Sequence, residues 1–363
     1  MSTISVINVK HPSSASNNLV TDSSGNTTAA GTVAMGSSFL RNRIINGAMV
    51  IDQRNGGASV TPASGSNYYS VDRWIQFLSQ NSKYSIQQST TAPAGFTNSV
   101  LVTSLSAYTS TSSDVFAFVQ YIEGFNVADF GWGTAGAQTI TISFWVRSSL
   151  TGTFGGALSN SAVNRSYPFT FTINAANTFE YKTITVAGDT TGTWVTNNGI
   201  GLRLWFNLGT GSTYLGTAGA WAAADYRGAT GETNLLATNG ATFYITGVQL
   251  EVGTVATPFE RRLYGTELAL CQRYYWASDT STNHFGIAGY ALAGGNIASS
   301  IIYPVAMRAS PTVTIGAQTL INTTGLVANS ITSLGYLLLI SATANGNAQA
   351  TLNSSRITHS IEL

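Results

Sequence analysis

None of the three histidines, His11, His284 and His359, belongs to an H-x-x-x-H or H-x-H pair, the spacings at which one helix face or one strand offers two nitrogens to zinc. Cys271 is the only cysteine, so it completes neither an intrachain disulfide nor a multi-cysteine metal site. There is no G-x-S-x-G nucleophile elbow, and no glycine-rich loop is followed by Lys and Ser or Thr to cradle phosphate. Glycoside cleavage needs two carboxylates roughly 5–10 Å apart. Asp52, Asp72, Asp114, Glu123, Asp129 and Glu251 are available for such a pair, but their contexts are ordinary, and Asp72, beside Arg73 and Trp74, reads as an ion-pair or turn partner. The chain is therefore not expected to be an enzyme, and neither a cofactor nor a metal ion is expected.

The aromatic residues are more informative. Tyr68, Tyr69, Trp74, Trp132, Trp145, Trp194, Trp205, Trp221 and Tyr226 punctuate the first two thirds of the chain. An exposed indole or phenol offers a flat apolar face to the C–H side of a sugar ring. Trp132 lies in Gly131-Trp132-Gly133 and Trp221 in Gly219-Ala220-Trp221, where small neighbours shield little. Trp132 and Trp221 are the candidate ligand-binding residues, whereas Trp74 and Trp145 are expected in the core.

The elements that must carry these residues are strands. From about residue 39 to 262 apolar residues alternate with polar ones: Ile140, Ile142, Phe144 and Val146 against Thr141, Ser143 and Trp145, then Leu202, Leu204, Phe206 and Leu208 against Arg203, Trp205 and Asn207. Further strands are expected over 70–78, 84–88, 99–105, 115–123, 167–173, 179–186 and 242–252. In the last, the apolar phase changes at Gly247, which predicts a bulge. Many short strands without long helices predict a β-sandwich or jelly roll. Leu268, Cys271 and Tyr275 share one helical stripe, so a helix is expected over 265–276 with Cys271 as a small buried residue. Residues 279–363 return to β, with strands expected over 284–292, 297–305, 312–315, 333–342 and 357–363.

Only 9% of the residues are charged, the net charge is +1, and Arg261–Arg262 is the only adjacent basic pair. A phosphate-tracking surface needs clustered cations, so no nucleic-acid partner is expected. A surface built from Ser, Thr, Asn, Gln and Gly suits sugar contact through hydroxyl and amide hydrogen bonds. No secretory signal is visible at the N-terminus and no run of about 18 apolar residues occurs, so membrane insertion is not expected. Residues 1–40 carry turn clusters and too few apolar residues for a core of their own, the pattern of either a disordered segment or an extended arm that gains structure from a partner, the arm being favoured in a fibre.

Asn46-Gly47-Ala48-Met49-Val50-Ile51-Asp52-Gln53-Arg54, followed by Tyr69-Ser70-Val71-Asp72-Arg73-Trp74, resembles the opening "NGxMxIDQR … DRW" of a family of phage tail and virion-fibre proteins. The segment from Gly247 to Arg262 resembles the family's closing strand, Glu267 to Tyr275 its "ELALCQRYY" helix, and Pro304 to Val313 a later "P-V-x-M-R-A-x-P-T-V". The family sandwich is similar to jelly-roll carbohydrate-binding modules. Those modules often pair "NGxFE" with a final "D-V-x-L-E" strand around structural calcium. Here Gly247 replaces the acid and Met49-Val50 the Phe-Glu pair, leaving Asp52 and Glu251 nearby, and no metal is expected.

The resemblance implies an all-β chain in four parts: a virion-attachment arm over 1–40, a jelly-roll sandwich over 41–262, a helical linker over 263–278 and a small C-terminal β-domain over 279–363 that trimerises or forms the tip. It implies a structural fibre subunit of a bacteriophage virion, made in the bacterial cytoplasm. Such a subunit is expected to be a homotrimer that meets other virion proteins through the arm and adsorbs a host-surface polysaccharide. A capsid-attached head fibre or decoration protein is the alternative, and a glycan-degrading tailspike the remaining one.

Overall fold

The structure, a computed structural model, describes residues 40–65, 68–279 and 285–363, together with three short strands nearer the N-terminus. His11 and His284 lie outside the described residues. The chain divides into two units, Met1–Arg41 and Asn42–Leu363. In the first, β1 (Asn8–Val9), β2 (Leu19–Thr21) and β3 (Thr27–Ala29) pair antiparallel in that order. Most of the expected arm falls outside the described residues.

The second unit is all-β with one short α-helix. Its sandwich has a six-stranded antiparallel sheet in the order β11-β10-β13-β8-β5-β4. These strands are β4 (Tyr68–Val71), β5 (Trp74–Leu78), β8 (Phe116–Glu123), β10 (Gly152–Ser159), β11 (Ser166–Ile173) and β13 (Ile200–Asn207). The facing sheet runs β12-β9-β16-β7-β6, from β6 (Tyr84–Ser89), β7 (Ser99–Ser104), β9 (Ile140–Ser148), β12 (Glu180–Val186) and β16 (Thr242–Val252). The inward positions of β9 and β13, Ile140, Ile142, Phe144 and Val146 with Leu202, Leu204 and Phe206, are all fully buried in one core. Trp74 and Phe118 stack there at 4.5 Å. Each such side chain contributes about 1.5–3 kcal/mol by leaving water. The register of β16 slips between Thr246 and Gln249, with Gly247 at φ 62°, so the expected bulge is present and returns Val248 and Leu250 to the core.

The stretch 70–78, expected as one strand, is instead a hairpin. Asp72 and Arg73 make its turn, Val71 pairs with Trp74, and Arg73 takes a positive φ of 72°. Trp145 is not in the core: its parity opposes Phe144 and Val146, and it lies half-buried on the outward face beside Tyr181. β10 went unforeseen because Gly155 and Gly156 interrupt its alternation. A short parallel pair, β14 (Leu215–Gly216) with β15 (Gly228–Ala229), belongs to the segment over the outer face of the six-stranded sheet.

The helix, α1 (Tyr264–Gln272), stops short of the expected 276. Arg273 turns away to hold Glu123, and Tyr275–Ala277 pairs as β17 with β25 (Ile357–Ser360). Cys271 is fully buried, as expected, and burial pushes its thiol well up from the ordinary value. The C-terminal part makes three small sheets, β17-β25-β20, β18-β24-β21 and β19-β23-β22. They comprise β18 (Gly286–Ala291), β19 (Asn296–Ile302), β20 (Thr312–Ile315), β21 (Gln318–Ile321), β22 (Val327–Asn329), β23 (Gly335–Ser341) and β24 (Gly346–Leu352), around a separate cluster that includes Leu338, Ile340 and Leu352. Its surface carries Ile302, Leu334 and Tyr290, each more than 60% exposed. Among the described residues no helix is long and apolar enough to cross a membrane.

Candidate functional site

The first residues to place are those of the NGxMxIDQR and DRW segments, and they are framework. Asn46 is fully buried; its side chain bridges the Ile51 and Asp72 carbonyls at 2.8 and 3.0 Å, and its own carbonyl accepts from the Trp74 indole at 3.1 Å. Gly47 is required because a Cβ there would sit 2.1 Å from the Val248 carbonyl oxygen. Gln53 donates to Asp72 and to the Tyr275 carbonyl, and Arg54 pairs with Asp72 and Glu362 while stacking 3.7 Å over Tyr275. Burial raises Asp72 to about 6, against Arg54, which lowers it. Asp52 caps the Asn55 and Gly57 amides, and Glu251 accepts from Gln249 and Thr257, so these two acids serve local turns. Among the described residues no group of three His, Cys, Asp or Glu side chains is placed to hold a metal ion.

Trp132 and Trp221 come together, and a third residue joins them. The loop after β8 carries Trp132, the β12–β13 connection carries Trp194, and the segment after β14 carries Trp221. The three rings meet edge to face: Trp132–Trp194 at 4.7 Å, Trp132–Trp221 at 5.2 Å and Trp194–Trp221 at 5.5 Å. Each indole N–H is used locally. Trp132 donates to the Gln138 carbonyl at 2.8 Å, Trp194 to Thr191 at 3.2 Å and Trp221 to Ala187 at 2.8 Å. The ring planes are thus fixed by their own loops, and only their faces remain for a ligand.

The loops are themselves pinned. Gly133, at φ 85°, donates to the Asp189 carbonyl, and a Cβ on it would lie 2.8 Å from the Gly192 carbonyl oxygen. Arg165 grips the Asp189 carboxylate with two bonds of 2.8 and 2.6 Å, and Thr191 donates to it as well. Burial works to raise Asp189, but the Arg165 and Thr191 bonds outweigh it and hold the carboxyl below its usual range. A bidentate guanidinium–carboxylate pair of this kind fixes geometry as well as energy.

A pocket of about 180 Å³ opens beside the cluster, with Val127, Phe130, Trp132 and Trp194 as apolar walls and Thr134 and Thr196 as hydroxyl-bearing ones. No carboxylate lines it. The two expected residues therefore differ in role. Trp132 is only 8% exposed and backs the other rings from beneath, because Phe130 and both partner indoles cover it. Trp221, half-buried against Tyr167 at 5.3 Å, and Trp194, half-buried, present the accessible faces. Trp194 was not singled out from sequence, since Thr193, Val195 and Thr196 around it give no sign of the loops it meets.

No protein-family model matches the chain, and no curated protein matches it. Among solved structures, the enzymatically active domain of tailspike protein 4 of bacteriophage CBA120 aligns at 12% identity and a TM-score of 0.33, over 59% of this chain and 22% of that one. The family 11 carbohydrate-binding module of Clostridium thermocellum, in complex with a β-1,3-1,4-mixed-linked tetrasaccharide, aligns at 13% identity and a TM-score of 0.28, over 56% of this chain and 100% of that one.

Proposed function

We propose that this chain is a structural, non-enzymatic fibre subunit of a bacteriophage virion, a tail fibre that adsorbs a host-surface glycan through the tryptophan cluster. The observation that carries the reading is the trio of indoles whose N–H groups are all spent on loop carbonyls. Rings fixed in this way lose little freedom on binding, so stacking on the C–H face of a sugar is not offset by ordering the side chains. Thr134 and Thr196 supply neutral donors and acceptors for hydroxyls, each bond contributing about 1 kcal/mol net. No carboxylate lines the pocket, which supports binding of a sugar rather than cleavage by a carboxylate pair. The NGxMxIDQR-to-ELALCQRYY resemblance supports the virion assignment. In the homotrimer, the exposed apolar residues of the C-terminal part meet across subunits, and three weak sites give avidity.

The test is adsorption of the full-length protein to polysaccharide from host cell walls. The Trp194→Ala/Trp221→Ala double variant is expected to keep the fold and lose about tenfold or more in affinity, which corresponds to about 1.4 kcal/mol. Unchanged adsorption by a folded double variant would rule out the cluster.

A further inference from the structure

The outward face of the five-stranded sheet holds a second group of aromatic residues, which shares no residue with the tryptophan cluster. The strand register arranges it in two rows. Tyr244 of β16 lies opposite Arg147 of β9, and Phe179 flanks Arg147 from the residue just before β12. In the next row Tyr181, Trp145 and Thr246 lie side by side on β12, β9 and β16. The Arg147 guanidinium sits 5.1 Å from the Tyr244 ring and 5.9 Å from Phe179, while Trp145 and Tyr181 are 5.4 Å apart. One cation thus stands over two aromatic rings, next to a second pair of rings in the adjoining row, of which Tyr181 is 43% exposed.

That cation has no counter-charge. Arg147 forms no ion pair or hydrogen bond with any described residue, and its Nε is covered without an acceptor. Thr246, diagonal to it on the same face, is fully buried, and its hydroxyl also has no partner. The adjacent carboxylate on β12, Glu180, is occupied by Lys182 at 2.6 Å and by the backbone amides of Asn174 and Ala175. The covered Nε is out of a ligand's reach, but the two Nη groups are not among the buried atoms and also have no acceptor among the described residues, so they are the part of Arg147 left to pair with an incoming anion. The ligand must be anionic to pair with Arg147 and must offer an apolar ring face to Trp145 and Tyr181. A planar carboxylate matches the guanidinium fork, and a pyranose ring supplies the stacking face.

We infer that this sheet face is a binding site for carboxylate-bearing sugars of the uronic-acid class, with Arg147 as the charge-reading residue. It selects an acidic saccharide, where the tryptophan cluster reads a neutral one.

The experiment is native electrophoresis of the full-length protein through gels containing polygalacturonate, fully methyl-esterified polygalacturonate, or dextran sulfate. Polygalacturonate is expected to retard the protein, and Arg147→Gln to weaken that retardation about tenfold, the scale of one charge-assisted hydrogen bond. Arg147→Lys should fall between, since an ammonium keeps the charge and loses the fork. Tyr181→Ala, at an exposed position, tests the stacking half should the Arg147 variants fold poorly. The methyl ester should not retard the protein. The idea is overturned if polygalacturonate gives no retardation, if the ester retards equally, or if folded Arg147→Gln binds as the parent does. Dextran sulfate that binds as tightly, and loses as much in Arg147→Gln, would overturn the carboxylate assignment. The Trp194→Ala/Trp221→Ala variant should keep its polygalacturonate retardation, so failure of either site is read separately.

Discussion

Acid should loosen the C-terminal part of the molecule through one residue, His359. Its ring is fully buried, stacked 4.5 Å from Trp276 and bordered by Tyr303 and Tyr336 at 5.2 and 5.3 Å. Nδ1 lies 3.2 Å from the Trp276 carbonyl, which makes it the protonated nitrogen of a neutral ring, and Nε2 is buried with no partner. Burial lowers the pKa from 6.5 to about 4, against the Trp276 bond, which raises it. The folded state therefore binds fewer protons than the unfolded state between these values. Stability is fully present above pH 6.5 and falls as pH drops toward 4. At about 1.36 kcal/mol per unit, the interval amounts to about 3 kcal/mol, reached at and below pH 4. The assay is urea unfolding at pH 7.5, 6.5, 5.5 and 4.5, followed by tryptophan fluorescence, for the parent and His359→Phe. Phe keeps the stack and cannot titrate. The difference between the two cancels every other titrating group and should shrink by about 2–3 kcal/mol across the series. A difference that stays flat with pH would refute the reasoning, and would mean that the surrounding rings stabilise the imidazolium as well as water does.

Glu232 should act in the opposite direction: burial raises it to about 8, against the Ala229 and Asn207 bonds, so its contribution is intact below 4.5 and is lost as pH rises to about 8. Glu232→Gln should flatten that loss in the same unfolding assay, and an unchanged slope would count against it. Gly247→Ala should cost about 1–3 kcal/mol in thermal unfolding, because φ is +62° and the added Cβ would lie 2.7 Å from the Phe96 ring. Trp132→Ala should lower stability by about 3–5 kcal/mol, whereas the Trp194→Ala/Trp221→Ala variant, truncated at half-buried positions, should lose adsorption before it loses the fold. Melting curves on the three proteins check that order.

Strands were legible where one face is core and the other is not, as in β9 and β13. β10 was not, because its glycines answer to distant atoms. A Cβ on Gly155 would lie 2.2 Å from a Glu232 carboxylate oxygen, and one on Gly156 would lie 2.1 Å from the Trp205 carbonyl oxygen. Close approach from elsewhere in the chain erases the alternation that marks a strand. The hairpin at Asp72-Arg73 was hidden for a related reason. Its turn residues are held by partners far off in sequence, Arg54 and Gln53 on Asp72, Glu362 and the Tyr121 carbonyl on Arg73, so an arginine occupies the left-handed position where glycine would have signalled a turn.

The candidate site divides along the same line. Small neighbours around Trp132 and Trp221 correctly indicate loops, but flanking size says nothing about what a loop folds against. Gly131 and Gly133 are small because the loop must turn tightly there and pass close to Gly192, and that same turn drives Trp132 under its partners. Trp194 emerges as an accessible face because the Arg165–Asp189 pair holds its connection across the loop of Trp132. Exposure of an aromatic ring is thus set by the loops stacked over it. The sheet face is the converse case: Trp145 is expected in the core, but with Arg147 it follows the alternation of β9 outward, while Phe144 and Val146 point inward. What alternation could not supply was the neighbouring strand, and it is the register of β12 and β16 that sets Arg147 against Phe179 and Tyr244 and, among the described residues, leaves it without a carboxylate.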